Sequence, residues 1–419
     1  MFPAIVKPEK KLIISSNDTF MKNLYLCLLI LLPVIAEGQP VLSLRNAIDS
    51  TLLSNFDIRI AGNNLEISKL NNTRGVAGGL PSLNANVIDN QSVNYVNQKL
   101  NSGTEIKKSG ANQNNMTSNV TASMLLYNGF KVMATKERLN SLQKQSQLQF
   151  NIQVQNSIAL VMAKYFDIIR QKEYYRIIQS SLEVSQQKLD IISERKKVGM
   201  ANDADYLQAL MDVNTARQVL KSQQLVVEQS KTDLLQLMSR KNYYQYQVED
   251  SIKVDTSIQL EEVLSFLRKN PQYLSSEQQI RINEQVVKEV SALRYPSLRF
   301  NTGYNFNRNQ SEAGLTLLNQ NFGPYAGLSM QIPLYNGNTY KIQKETAEFN
   351  LSNARLQQEN LLNNLTANAV KTFDSYHTTL QQLESQMATI NFSRKLINVV
   401  MQRFQVNQAT ILEIKAAQN

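Results

Sequence analysis

The 419-residue sequence predicts a mainly α chain with membrane β, an internally duplicated chain in which long antiparallel coiled-coil helical hairpins follow amphipathic β-hairpins. Three observations predict it. Leu126-Tyr127-Asn128-Gly129 returns as Leu334-Tyr335-Asn336-Gly337. Each copy closes a segment whose apolar residues alternate at period two, and each opens a long stretch almost free of proline and glycine.

The copies align along most of their length. Pro81-Ser82-Leu83 answers Pro296-Ser297-Leu298, Leu52 with Asn55 answers Leu267 with Asn270, Tyr165 answers Phe373, and Arg195 to Gly199 answers Arg403 to Asn407. A unit of roughly 200 residues far exceeds the 20 to 50 of solenoid repeats. It reads as duplication of a whole half-molecule.

At the amino end, Met21-Lys22-Asn23 followed by Leu24 to Ala36 has the basic start and short apolar run of a secretory leader, with Ala36-Glu37-Gly38 as the cleavage region. The run is shorter than the roughly 20 residues a spanning helix needs. Met1 to Phe20 is then an extended leader or the product of a mis-assigned start. Cys27, the single cysteine, lies inside the apolar run, so the processed chain is expected to contain no thiol or disulfide. The net charge of +10 has no basic cluster with interleaved aromatics, which favours a solvated helix surface and no nucleic acid.

Leu44, Ala47, Ile48, Leu52 and Ile58 predict a first amphipathic helix that continues past Leu65 and Ile67 and ends at Gly75, Gly78 and Gly79. Then the period changes. Leu83, Ala85 and Val87 alternate with Asn84 and Asn86, and Val120, Ala122, Met124 and Leu126 alternate with Asn119, Thr121 and Ser123. In the second copy Leu298, Phe300, Tyr304 and Phe306 oppose Arg299, Asn301, Asn305 and Asn307, followed by Leu328, Met330, Ile332 and Leu334. These patterns predict strands at about 82–96, 116–127, 297–307 and 325–335, with polar loops from Asn97 to Asn114 and from Asn309 to Gln320. Such segments fit a soluble half-buried sheet as well as a membrane barrel. The leader, the Asn-rich polar faces and the want of any spanning helix favour the barrel.

Lys131 to Val198 predicts a helix of about 100 Å at 1.5 Å rise per residue, and Asp203 to about Lys241 a returning one. Ile177, Val184, Ile191 and Val198 recur every seven residues outbound, as do Val213, Leu220, Val227 and Leu234 inbound. Heptad spacing keeps an apolar seam against a partner helix. Gly199 and Asn407 suit the left-handed position of a tight turn at the two tips. The organisation expected is a leader region at 1–38, a first repeat at 39–241 with its helical hairpin at 131–241, a linker at 242–259, and a second repeat at 260–419 with a long helix at 338–406. The second copy reaches only Asn419, where the first continues for about another forty residues, so its returning helix is expected to be largely missing.

Enzymatic motifs are absent. His377 is the only histidine, and there is no phosphate-binding glycine loop, GxSxG turn or HExxH pair. No catalytic, cofactor-binding or metal residue is assigned.

The Pro-Ser-Leu strand entries, the paired Leu-Tyr-Asn-Gly turns (Asn128, Gly129, Asn336, Gly337), and Arg-x-x-Val-Gly with Arg-x-x-Val-Asn at the tips resemble the TolC family of bacterial outer-membrane efflux channels, from about Leu42 to Asn419. That resemblance implies a homotrimer in the outer membrane and periplasm, each subunit lending four strands to one shared 12-stranded β-barrel and its helices to a periplasmic tunnel. Four strands alone cannot close a barrel, since known ones start at roughly eight. It further implies a passive exit duct of a tripartite efflux pump or type I secretion system, working with a periplasmic adaptor and an inner-membrane pump. Asp205 and Glu413, each six positions after a tip residue, match the family's acidic gate sites. Val198, Gly199, Met200, Val406, Asn407 and Gln408 match its adaptor-docking tips. Ala416, Phe404 and Ala409 depart from the family's gate pattern, so its closed-state network does not transfer intact. A soluble periplasmic coiled-coil scaffold or adaptor is the competing reading. An adaptor would show one helical hairpin flanked by Gly-rich lipoyl-like segments, whereas this sequence has two hairpins.

Overall fold

The computed structural model describes residues 41–240, 246–249, 252 and 254–418. The expected leader with Cys27, and residues 242–245, 250, 251 and 253 of the expected 242–259 linker, lie outside the described residues. The first copy comprises β1 (Val41–Leu42), α1 (Leu44–Ser54), α2 (Phe56–Asn71), β2 (Ser82–Lys99), β3 (Glu105–Tyr127), α3 (Lys131–Lys197) and α4 (Asp203–Leu237). After β4 (Gln247–Val248) come α5 (Leu260–Phe266), α6 (Pro271–Ser291), β5 (Ser297–Ser311), β6 (Leu318–Gln331), α7 (Thr339–Gln405) and α8 (Ile411–Gln418).

The duplication is visible in local geometry. α3 and α7 each have 67 residues. Both follow two successive left-handed residues, Gly129 (φ 68) with Phe130 (φ 65) and Gly337 (φ 64) with Asn338 (φ 63). The offset between copies is 215 residues before the β-hairpins and 208 after them, so the second hairpin is seven residues shorter.

The single first helix read from the sequence is in fact two. Asn55 is extended (φ −61, ψ 129), and its side-chain oxygen accepts the amides of Asp57 and Ile58. An asparagine that offers a backbone-like acceptor ends one helix and caps the next. Asn270 repeats the conformation (φ −61, ψ 131), accepting from Gln272 ahead of Pro271 at the first helical position.

The four long strands form one antiparallel sheet in the order β2-β3-β5-β6, so the two copies join through β3 and β5. The strands run further than their apolar alternation. Asn97 to Lys99, Glu105 to Lys108 and Ala111 to Asn114 are paired in the ladder, as are Asn309 to Ser311 and Leu318 to Gln320, so most of the first expected polar loop and half of the second is strand. Backbone pairing continues there although both faces are polar, leaving no hydrophobic pattern to read. At the other end β6 stops at Gln331, short of the expected 335, because Pro333 has no amide to give the ladder.

α3 and α4 pair as an antiparallel hairpin. The buried stripe on α3 falls one residue beyond the expected heptad. Ile178, Ser185 and Ile192 are buried, whereas Ile177 and Val198 are exposed. On α4, Val213, Val227 and Leu234 are buried as expected. α4 ends at Leu237 rather than near Lys241, because Ser239 turns left-handed (φ 51) and the amides of Ser239 and Arg240 bond back to Gln236 and Leu235.

Among the described residues two buried clusters hold the helices. One surrounds Val161, Tyr165, Ile168, Leu234 and Met238 with Leu42, Tyr246 and Val248. Here β1 and β4 pair in parallel, and the Tyr165 hydroxyl donates to the Leu42 carbonyl (2.8 Å) while accepting the Glu249 amide (3.1 Å). The other lies at the far tip, where Ile192 and Ala209 of the first hairpin pack on Val400, Met401, Phe404 and Ile414 of the second.

Candidate functional site

Strand register sorts the sheet into two faces. Across the strands, Ala85, Val120, Tyr304 and Pro324 stand opposite one another, as do Met124, Phe300 and Leu328. With Leu83, Val87, Leu298, Phe306, Phe322 and Met330 they make one face apolar, and Leu83 (72%) and Leu328 (67%) are largely exposed in the single chain. A contiguous apolar face left this exposed is unusual on a water-facing surface. The run from Leu298 to Phe306 has nine residues, close to the 9–11 that a tilted strand uses to cross a bilayer.

The opposite face carries Asn84, Asn86, Asn119, Thr121, Ser123, Asn301, Asn305, Asn307, Asn321 and Ser329. Side-chain amides cross-link it, as in Asn301 to Ser329 (3.0 Å) and Asn307 to Asn321 (3.0 Å). Tyr325 folds over Gly303, and its hydroxyl meets the Thr121 hydroxyl at 2.8 Å. A hydrogen-bonding surface of this kind, uncharged except at Arg299, suits water rather than lipid.

At the other end lie the helical tips. Gly199 (φ 73) and Asn407 (φ 64) are both left-handed. The amides of Gly199 and Met200 bond to Lys196 and Arg195 carbonyls (3.0 and 2.8 Å), and those of Asn407 and Gln408 bond to Phe404 and Arg403 (3.1 and 2.8 Å). The two turns are copies of one helix-ending motif, in which the left-handed residue frees the next amide to reach back. Val198, Met200 and Val406 stand exposed, with Gly199, Asn407 and Gln408 beside them.

Asp205 is half-buried in the first turn of α4, its amide bonded by the Asn202 side chain (2.7 Å). Glu413 is exposed, and its carboxylate accepts the Thr410 amide (2.8 Å) while the Thr410 hydroxyl accepts the Glu413 amide (3.3 Å). That reciprocal pair is a capping box, which starts α8. No hydrogen bond or ion pair joins Asp205 to Glu413 among the described residues.

Two contacts at the tips were not anticipated. Arg195 crosses to Phe404 of the second copy, and Lys188, fully buried in α3, bonds Asp212 of α4. Lys188 lies three residues after the buried Ser185 and four before the buried Ile192, on the stripe that packing against α4 selects and the heptad reading did not. Burial pushes the Asp212 carboxyl up. The hydrogen bonds from Lys188 and Gln208 and the charges of Lys188 and Lys415 outweigh it, holding the group below its ordinary value.

No protein-family model matches the chain. Among curated proteins it is similar to the outer membrane protein TolC of Vibrio cholerae serotype O1, 24% identical over 214 residues, covering 49% of this chain and 48% of that one. The chain thus spans about half the length of the curated relative it matches. Among solved structures it superposes on the Campylobacter jejuni CmeC outer membrane channel with a TM-score of 0.70 at 16% identity, covering 99% of this chain and 88% of that one. It also superposes on the outer membrane protein VceC of Vibrio cholerae, with a TM-score of 0.68 at 16% identity over 90% and 89% of the two chains. Its fold is that of the TolC family.

Within the TolC-type fold the two faces of the sheet and the two helical tips occupy opposite ends of the long helices. Asn128 and Gly129, with Asn336 and Gly337, sit between them as strand-to-helix turns. Among the described residues no helix is long and apolar enough to cross a membrane, and no three His, Asp or Glu side chains cluster as a metal site.

Proposed function

We propose that the chain is an outer-membrane exit duct of a tripartite efflux pump or type I secretion system, passing solutes outward from a periplasmic adaptor and an inner-membrane pump. One observation carries the reading. A single chain offers four strands with an apolar face of bilayer height, an Asn-lined polar face whose one charged residue over that height is Arg299, and two unpaired edges at β2 and β6. Open edges in lipid leave backbone groups without partners. Three copies, pairing β6 of one with β2 of the next, remove every edge and yield a 12-stranded barrel with water inside and lipid outside.

In this reading the chain carries an export leader at 1–38, the repeats at 39–241 and 260–419 build the duct, and Asp205 and Glu413 ring its periplasmic mouth. Val198 to Met200 and Val406 to Gln408 are the docking knobs for the adaptor. The likeness to proteins called outer membrane channels supports this, as does the exposure of the apolar tip residues. Detergent-extracted protein is expected to run as a trimer and to open ion-conducting pores in planar bilayers. A freely water-soluble monomer that forms no pores overturns it.

A further inference from the structure

We propose that the neck where the sheet meets the long helices is an anion-binding station, at which Arg299 and Lys131 receive small solutes bearing a carboxylate, sulfonate or phosphate. The inference rests on the duct reading and narrows it to a class of cargo. Over the stretch that backs the apolar band, the polar face of all four strands holds one charged residue, Arg299. Every other position there is neutral.

Register shows where that charge points. Arg299 stands opposite Leu125 and Ser329, and Ser297 opposite Gln331. Leu125, Ser297, Arg299 and Gln331 line a recess of about 240 Å3 on this face, closed on the helix side by Lys131 and Tyr340. Two cationic side chains thus share the recess with no carboxylate in its wall. Glu289, on the neighbouring α6, is held instead by Arg138 at 2.7 Å.

Like charges facing one recess without counter-ions create a local positive potential that attracts anions. Arg supplies a planar fork matched to carboxylate and phosphate oxygens, and the positive end of α3 lies alongside. The volume is below the roughly 300–1,000 Å3 of drug-sized sites, so it fits an anionic group rather than a whole drug. Threefold repetition would make it a ring around the polar axis.

The test is a planar-bilayer recording under a KCl gradient, comparing wild type, Arg299→Gln with Lys131→Gln, and Arg299→Lys, each confirmed as a trimer. The chloride-to-potassium permeability ratio should fall about threefold or more in the Gln pair and persist in Arg299→Lys. Millimolar sodium sulfate should reduce wild-type conductance and leave the Gln pair unaffected. If the Gln pair does not assemble, each single Gln variant is read the same way. Equal ratios and equal sulfate sensitivity in wild type and Gln variants overturn the station while leaving the duct intact. A wild type that forms no pores at all defeats the duct, and the station with it.

Discussion

Arg195, at the end of α3, donates to the Phe404 carbonyl of α7 and lies over the Phe404 ring, its guanidinium 4.6 Å from the centroid. The equivalent Arg403 does not return the contact. It folds back to the Gln408 carbonyl of its own turn (2.8 Å). Duplicated arginines have therefore taken different tasks, one clamping the two hairpins together and one closing a tip.

Loss of that clamp should loosen the tips without unfolding them. A cation over a ring together with a charged hydrogen bond contributes about 1.4 kcal/mol at a partly exposed site, or roughly a tenfold change in the separated fraction. Spin labels placed at Met200 and Gln408 should report a broader and longer distance distribution in Arg195→Ala. An unchanged distribution would remove Arg195 as a clamp.

Lys188 and Asp212 form a buried pair inside the first helical hairpin, with side-chain exposures of 1% and 19%. Because the folded-state carboxyl lies below its ordinary value of 3.8, its contribution is complete above that value and is lost as pH falls through the lower folded value. Melting followed by circular dichroism should show this acid loosening in wild type and not in Lys188→Met with Asp212→Leu. Asp212→Ala alone leaves a buried lysine uncompensated and should cost about 3–5 kcal/mol. A cost as small as that of an exposed pair would refute the burial.

Glu413→Gln separates charge from structure. Glutamine can still accept the Thr410 amide, so the capping box persists while the carboxylate goes. If Glu413 belongs to a pore ring, cation preference in planar bilayers falls in this variant. Selectivity equal to wild type would confine Glu413 to starting α8.

Gly303 is where two strands and a ring meet. A Cβ there would lie 2.2 Å from the Val120 carbonyl oxygen and 3.0 Å from the Tyr325 ring. Gly303→Ala should therefore displace Tyr325 and, if three copies close one barrel, lower the temperature at which that trimer dissociates on gels. Tyr325→Phe keeps the ring and loses only the bond to Thr121, worth about 1 kcal/mol. Equal effects of the two substitutions would contradict the stacking.

The duplicated turns, the strand faces and the helical tips were legible because each depends on local patterns: alternation for Leu298 to Phe306, backbone handedness for Gly199 and Asn407. The outer strand ends were hidden, since Lys107 to Asn112 hold only Ala111 as an apolar side chain and so no alternation to betray their ladder. Asn55 was missed as a break because its neighbours keep helical periodicity on both sides. At the tips, the positions of Asp205 and Glu413 could be read, but the reach of Arg195 to Phe404 depends on how two hairpins far apart in sequence settle together. The buried stripe through Ile178 and Ile192 lies beside an equally apolar line through Ile177 and Ile191, and only packing against α4 chooses between them.

The matched 67-residue helices give the molecule a fixed ruler. Residues trimmed from a β-hairpin, as the second copy has been by seven, change only what projects beyond the sheet. One residue inserted between Lys131 and Lys197 would instead turn everything past it by about 100° and shift that tip about 1.5 Å out of level with its twin. Drift in length is thus tolerated at one extremity and forbidden at the other.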